Sequence, residues 1–448
     1  LICEKCIGVE DLSEWFSSNS TQGKCSYCNS RDLCVPKEIF LEYVSNRFFE
    51  AAIPIDDLSG MEQIDIYSGS DEHYVQESGI FISEQFEVKN DELLDDIIAY
   101  VESESSDADT LFVLDEGTFI DNAYDHQWGV FLNQISHSKR FFNKEAYLFL
   151  DKLFDHIHIN RVPELSYIEV ITSESELFRA RKCNSKSVRE SIIGNPSSQL
   201  GPVPSQIASN QRMTPAGISC LYCAMDRETC LSEIRSVTGD LVISGGFFPK
   251  NNLKLLVLSN ISEKSNQPTS LFHENYSDIT HRMRFIRKLT NLLSRPSPNG
   301  GPLDYISTQY VFEYFRVKFG EHIDGLIYTS VQNKRGKNVV IFPEASTIEK
   351  FKYKNEKEAI ATEVIFSDPH SRLPSSKYYQ VELKGRSEIP SIDSDTLDIN
   401  NPFYESPLEY KLKFIQDSLV FHKIEAVITK SKDKKIKLDI QPEDSSIN

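Results

Sequence analysis

The stretch Gln211–Gly239, QRMTPAGISCLYCAMDRETCLSEIRSVTG, is the one around which the chain is organised. Arg212 precedes a Thr-Pro-Ala-Gly turn, and an apolar strand-like piece follows from Ile218 to Ala224 with Tyr222 inside it. Asp226 to Val237 then reads as a helix, with Thr229 near its first turn and Glu233 one turn further on. A turn, a strand and a helix that carry an Arg, a Tyr and a Glu can hold a charged ligand and polarise it. Guanidinium grips phosphate bidentately, and a carboxylate stabilises positive charge developing on a sugar.

Upstream of this stretch, Tyr167–Thr172 reads as a strand, Leu177-Phe178-Arg179-Ala180-Arg181 follows it closely, and 194–211 is a loop rich in Gly, Pro, Ser and Gln. Downstream come a strand (Lys254–Ser259), a basic helix near 278–293, a Pro/Gly/Ser break at 294–302 and a helix from Leu303 to Phe319. Two strands follow, Gly325–Thr329 and Asn338–Phe342, joined by Ser330 to Lys337. The last hundred residues read as β-rich with polar loops at 366–376 and 385–402, and the tail 431–448 is charged.

The first third of the chain has a different texture. Cys3-x-x-Cys6 and Cys25-x-x-Cys28 are two knuckles that each aim two thiolates at one point, which predicts a closed, structural Zn²⁺ site in 1–36. Cys34 is nearby, but its spacing suits neither knuckle. Lys37–Ala52 has the apolar pattern of an amphipathic helix (Ile39, Phe40, Tyr43, Val44, Phe48). Residues 54–109 are acidic, with strand-like pieces at Gln63–Tyr67 and Gly79–Ser83, a helix at Asp91–Glu102 and a polar break at Ser103–Asp109. Trp128–His158 is helical and rich in Phe and Tyr; His126 just before it, and His137, His156 and His158 within it, lack metal-ligand spacing and read as helix caps or packed side chains.

Bulk properties narrow the function. The 448 residues suffice for two or three cores, and no apolar run is long enough to span a membrane. The first residues lack the charged and apolar regions of a secretory signal, which predicts a cytoplasmic protein with free thiols. A net charge of −19, from 48 basic and 67 acidic residues, repels polyanions and argues against broad nucleic-acid binding. The one basic cluster, Arg282, Arg284, Arg287 and Lys288, reads as a solvated helix face. By residue type alone, the candidates for chemistry are Arg179 or Arg181, Arg212, Tyr222, Glu233 and Ser330; the blander reading makes the arginines surface salt bridges and Glu233 a solvated helix residue.

The order and wording of several segments resemble the RES domain family. They are Phe178-Arg179-Ala180-Arg181, Gly201-Pro202-Val203-Pro204, Arg212-Met213-Thr214-Pro215-Ala216-Gly217-Ile218, Leu221-Tyr222-Cys223-Ala224, and Glu228-Thr229-Cys230 with Glu233. Ser307-Thr308-Gln309-Tyr310, Asp324 through Ser330, and Asn338-Val339-Val340-Ile341-Phe342 continue the match. The Arg, Glu and Ser that name the family fall on Arg179, Glu233 and Ser330, with Arg181, Arg212, Tyr222 and Asn338 as further ligand-binding positions. Two departures are modest: Cys230 stands where the family usually has Ala, and Thr329 where a second Ser is common. The region before 160 is similar to the HEPN/RES N-terminal domains. It lacks the Arg and His pair of HEPN ribonucleases; Arg316 and His322 have that spacing but straddle a helix end at Gly320.

The resemblance implies an α+β fold with an ADP-ribosyltransferase-like split mixed sheet and a cleft for NAD⁺. It would span 161–430, preceded by the zinc element (1–36) and a mixed, mainly helical domain (37–160). It implies a toxin or defence effector that consumes NAD⁺ as substrate, cleaving the nicotinamide–ribose bond with water or phosphate as acceptor. Arg179 and Arg212 would hold the pyrophosphate, Tyr222 would stack near nicotinamide, Glu233 would bond the adjacent ribose, and Ser330 would position the amide or ribose. A mono-ADP-ribosyltransferase modifying a protein is the alternative, and a zinc-ribbon interaction protein without activity a further one. An antitoxin or other regulatory partner fits such an activity, as does a homo-oligomer.

Overall fold

The computed structural model describes residues 1–8, 12–67, 75–105 apart from 87, 110–115, 123–264, 271–295 apart from 272 and 274, 303–350 apart from 334, 358–366, 376–384 and 409–427. The interior of the loop expected at 366–376, the whole loop at 385–402, most of the break at 294–302 and the tail 431–448 lie outside them. Among the described residues no helix is long and apolar enough to cross a membrane.

Nine strands form one mixed sheet. From one edge they run Leu412–Phe414, Leu241–Pro249, Leu177–Lys182, Leu221–Ala224, Lys337–Ile341, Gly325–Thr329, Leu253–Val257 and Ile168–Ile171, with Val420–Lys423 also paired to Leu241–Pro249. Leu253–Val257 and Gly325–Thr329 are parallel, and the long crossover that parallel pairing demands is filled by the helices Leu258–Lys264, Tyr276–Ser294 and Ile306–Phe319. Successive side chains point to opposite faces, and here both faces are covered. Leu326, Tyr328 and Val340 enter one core, while Ile327, Val339 and Ile341 enter the other. That two-sided burial is why these strands read in the sequence as continuous apolar runs rather than alternating ones.

One core contains more than the sheet and its own crossover helices. Tyr124, Trp128, Phe131 and Ile135 from helix Ala123–His137, with Ala146, Leu150 and Leu153 from helix Lys144–Leu153, pack with Phe285, Phe312 and Phe315 against Leu326 and Val340. The basic cluster contributes to this joint. Arg282 pairs with Asp155 at 2.7 Å and Lys288 with Asp125 at 2.5 Å, so two of its cations clamp helix Tyr276–Ser294 to the region 123–157.

The first hundred residues build a separate core. A three-stranded sheet (Ile2–Cys3, Thr21–Lys24, Arg31–Val35) packs with helices Lys37–Ala51 and Asp91–Glu104 through Ile2, Phe16, Phe40, Val44, Phe48, Leu93 and Ile97. Tyr276 from the long helix also joins this core.

Two expected strands are helices. Gln63–Tyr67 lies in helix Gly60–Tyr67, and Gly79–Ser83 in helix Ser78–Gln85. Five-residue apolar runs do not distinguish the two periods. The signal that decides the first is a capping box: the Ser59 amide donates to Glu62 Oε2 at 2.8 Å and the Glu62 amide to Ser59 Oγ at 3.4 Å. The helix after Asp226 is also shorter than its apolar pattern suggests, Arg227–Glu233, because Arg235 turns into the left-handed region at φ 46°. The strand expected at Lys254–Ser259 ends at Val257, where helix Leu258–Lys264 begins.

Candidate active site and a four-cysteine centre

The helix bearing Glu233 starts from Asp226, whose carboxylate accepts the Thr229 amide and the Thr229 hydroxyl, both at 2.7 Å. This N-cap fixes the helix direction and so the position of Glu233 near its far end. Glu233 Oε1 accepts Ser330 Oγ at 2.5 Å and Asn338 Nδ2 at 2.7 Å, which leaves Oε2 without a protein partner among the described residues. Ser330 is itself fixed, accepting the Asn333 amide at 3.0 Å, and Asn333 Nδ2 returns to Thr229 Oγ1 at 2.9 Å. The chain from Asp226 to Asn338 is thus one hydrogen-bonded frame that orients a single carboxylate.

Gly336 is required by this frame. A Cβ there would lie 2.0 Å from Thr229 Oγ1 and 2.6 Å from Thr229 Cγ2. Gly336→Ala should therefore destabilise the fold by about 1–3 kcal/mol through overpacking, seen as a lowered urea midpoint with an unchanged slope. A midpoint equal to the parent's would mean that the loop 330–337 yields without resistance.

The sheet opens beside the frame. Leu177–Lys182 pairs along its whole length with Leu241–Pro249, but it meets Leu221–Ala224 at a single pair, Phe178 with Ala224. A cleft of about 420 Å³ lies there, and Arg179, Arg212, Tyr222, Glu233 and Asn338 all line it. Arg179 Nη1 donates to the Gly201 carbonyl at 2.7 Å, and burial draws its pKa down, though a guanidinium stays charged. Arg212 Nη1 donates to the Ser294 carbonyl at 2.7 Å, and its guanidinium lies 5.6 Å from the Tyr328 ring centroid. Among the described residues no carboxylate pairs with either arginine. Two charged, part-buried guanidiniums without counter-ions in a chain of net charge −19 make a receptive place for an anion.

Tyr222 is pinned at its hydroxyl, which lies 3.0 Å from Thr214 Oγ1 and accepts the Met213 amide at 3.3 Å. Burial pushes its phenol far above the ordinary range, so it is a neutral aromatic wall. The turn Asn210–Thr214 is held from helix Ile306–Phe319, where Gln309 Nε2 donates to the Gln211 carbonyl at 2.7 Å and Thr308 Oγ1 to the Arg212 carbonyl.

Two expected site residues stand apart from the cleft wall. Arg181, two residues along the strand from Arg179, is exposed and donates to Gln199 Oε1 at 2.6 Å. Ser330 is buried behind Glu233 and borders a second, smaller hollow of about 170 Å³. Residues that the sequence did not single out include Tyr328 beneath Arg212, Asn333 in the frame, and Tyr305 and Arg235 at the cleft. A local signal existed for Asn333 alone, which lies in the turn Ser330–Lys337. The Arg316 and His322 spacing has a structural explanation, since Arg316 is tied to Glu344 at 2.5 Å and to Glu313 at 3.1 Å and the helix ends at Phe319.

At the other end of the molecule, the Sγ atoms of Cys3, Cys6, Cys25 and Cys28 all lie within 4.8 Å of one another. The closest separations are 3.4 Å (Cys3 to Cys28), 3.7 Å (Cys3 to Cys6) and 3.8 Å (Cys6 to Cys25). A tetrahedral zinc with Zn–S of about 2.3 Å needs edges of about 3.8 Å, so the four thiols fit that ion. Ser30, through its hydroxyl and its amide, lowers the pKa of the Cys28 thiol and so favours the thiolate that a metal requires. Cys34 pairs in register with Cys3 but is not among the four. Among the described residues no histidine joins a metal-binding group, and burial holds His156 neutral with a pKa lowered to about 4.

Compared with known proteins, residues 177–361 match the model of a family described as the RES domain. No curated protein and no solved structure matches the chain.

Proposed function

Because residues 177–361 are a RES domain, we propose that the chain is an NAD⁺-consuming enzyme of the toxin or defence-effector kind, cleaving the bond between nicotinamide and ribose. The observation that carries this reading is the cleft itself. One oriented carboxylate and two arginines without counter-ions line a single hollow where the sheet opens. Arg179 and Arg212 would hold the two phosphates, and Tyr222 would offer its face to the nicotinamide ring. Glu233 Oε2 would accept from the ribose hydroxyls and favour positive charge at the anomeric carbon as the C–N bond lengthens. Nicotinamide leaves with that bond's electron pair and becomes neutral in doing so, so no strong acid is needed. Water adds its oxygen to the same carbon and gives up a proton to solvent.

The single-pair junction between Leu177–Lys182 and Leu221–Ala224 supports an ADP-ribosyltransferase-like split sheet. We read 161–430 as the catalytic unit, roofed by helices Ala123–His137 and Lys144–Leu153 from the 37–160 segment, with 1–36 stapled by zinc. An antitoxin or other regulatory partner would restrain the activity.

Purified protein incubated with NAD⁺ should release free nicotinamide, together with ADP-ribose in plain buffer. ADP-ribose-1″-phosphate in phosphate buffer would identify phosphate as the acceptor, and label carried to a macromolecule would identify a protein. Intact NAD⁺ in every arm would refute the enzymatic reading.

A further inference from the structure

The helix that positions Glu233 stops at that residue, and two positions later Arg235 sits at φ 46°, in the left-handed region that large side chains avoid. The conformation is braced from outside. Lys182 Nζ donates to the Arg235 carbonyl at 3.1 Å and pairs with Asp240 at 2.9 Å. Asp240 also accepts the Val237 amide at 2.9 Å and Asn184 Nδ2 at 3.0 Å, closing the turn behind Arg235.

A turn of this kind is easiest for glycine, or for asparagine with its short side chain. Arginine gains nothing from the turn itself, since its guanidinium has no protein partner among the described residues. The strained turn carries Arg235 into the rim of the cleft, where it lines the same hollow as Arg179, Arg212 and Glu233. Strain that persists because neighbours over-determine it, at a residue lining an anion-receptive hollow, points to a functional position.

We propose that Arg235 is a third cationic contact of the cleft, gripping the diphosphate of the dinucleotide from the rim. This rests on the reading of the cleft given above. Its place two residues beyond Glu233 couples the grip to the helix that orients the carboxylate, so the phosphates and the ribose are held by one short segment.

The test uses the full chain with ADP-ribose, the diphosphate-bearing product, in a calorimetric titration, and NAD⁺ in steady-state turnover. Arg235→Gly should weaken ADP-ribose binding about tenfold and raise the half-saturating NAD⁺ by a similar factor, with turnover at saturation changed by less than about twofold. Its melting temperature should not fall, because glycine adopts the same φ freely. Arg235→Lys, which keeps a charge at the rim, should recover most of the affinity. Parent-like affinity in Arg235→Gly overturns the proposal, as does a fall in saturated turnover with binding unchanged. If the parent neither binds ADP-ribose nor consumes NAD⁺, the reading of the cleft fails and this proposal falls with it.

Discussion

Glu233→Gln is expected to slow nicotinamide release by on the order of 10²–10³-fold while the melting temperature stays at the parent's value. The two halves of that expectation have separate physical origins. The frame asks only for an acceptor on Glu233, since Ser330 Oγ and Asn338 Nδ2 both donate to Oε1, and a glutamine carbonyl can take both bonds. The proposed reaction asks for negative charge close to a carbon that becomes cationic, and the amide would remove it. A preorganised group of this sort contributes about 3–4 kcal/mol to the barrier, which is the factor quoted. A variant that consumes NAD⁺ at the parent's rate would take Glu233 out of the chemistry. A variant that is slow but also melts early would show that the frame, not the charge, had been disturbed.

Withdrawing the metal that we propose for the four cysteines should make the first hundred residues unfold well before the rest of the chain. Structural zinc in small knuckles contributes about 10–16 kcal/mol near neutral pH, comparable to or larger than the 5–15 kcal/mol that holds a whole domain together. Here Cys3, Cys6 and Cys25 are buried members of the same core as Ile2, Phe16, Phe40, Val44 and Phe48, so the knuckles cannot open without exposing that core. The sheet's two cores draw on other residues and should outlast it. A strong chelator, or Cys25→Ser, should therefore divide thermal unfolding into two steps. The earlier step should carry the loss of near-ultraviolet signal from the stacked Trp15 and Tyr43, whose rings lie 4.3 Å apart. One unchanged transition after complete removal of bound metal would show that the thiols hold the core without it.

Much of this architecture was legible in the chain. Gly325–Thr329, Lys337–Ile341, Lys37–Ala51 and Asp91–Glu104 fall within a residue or two of their expected limits. The two helices have long apolar patterns that fix one period, and the two short strands are continuous apolar runs rich in β-branched and aromatic residues, bounded by polar residues and glycine. Helices Gly60–Tyr67 and Ser78–Gln85 differ from the expected strands because each offers only a few apolar residues; for the first, the deciding clue is a polar pair, Ser59 with Glu62. The cleft was readable only as a set of residue types. That Arg179 reaches it and Arg181 does not depends on where the strand leaves its neighbour, which is a property of pairing and not of wording. Tyr328 beneath Arg212, and the hydrogen bond that ties Ser330 to Glu233 across 97 positions of chain, are products of packing alone. Arg235 was invisible for a further reason, since nothing in the sequence announces a left-handed arginine.

Both borders of the great sheet are drawn by residues outside 177–361: Ile168–Ile171 on one side, Leu412–Phe414 and Val420–Lys423 on the other. The segment whose wording is shared with a family is therefore shorter than the object that must fold to use it. A piece cut at 177 and 361 would lack both outer borders and leave Leu253–Val257 and Leu241–Pro249 with open edges.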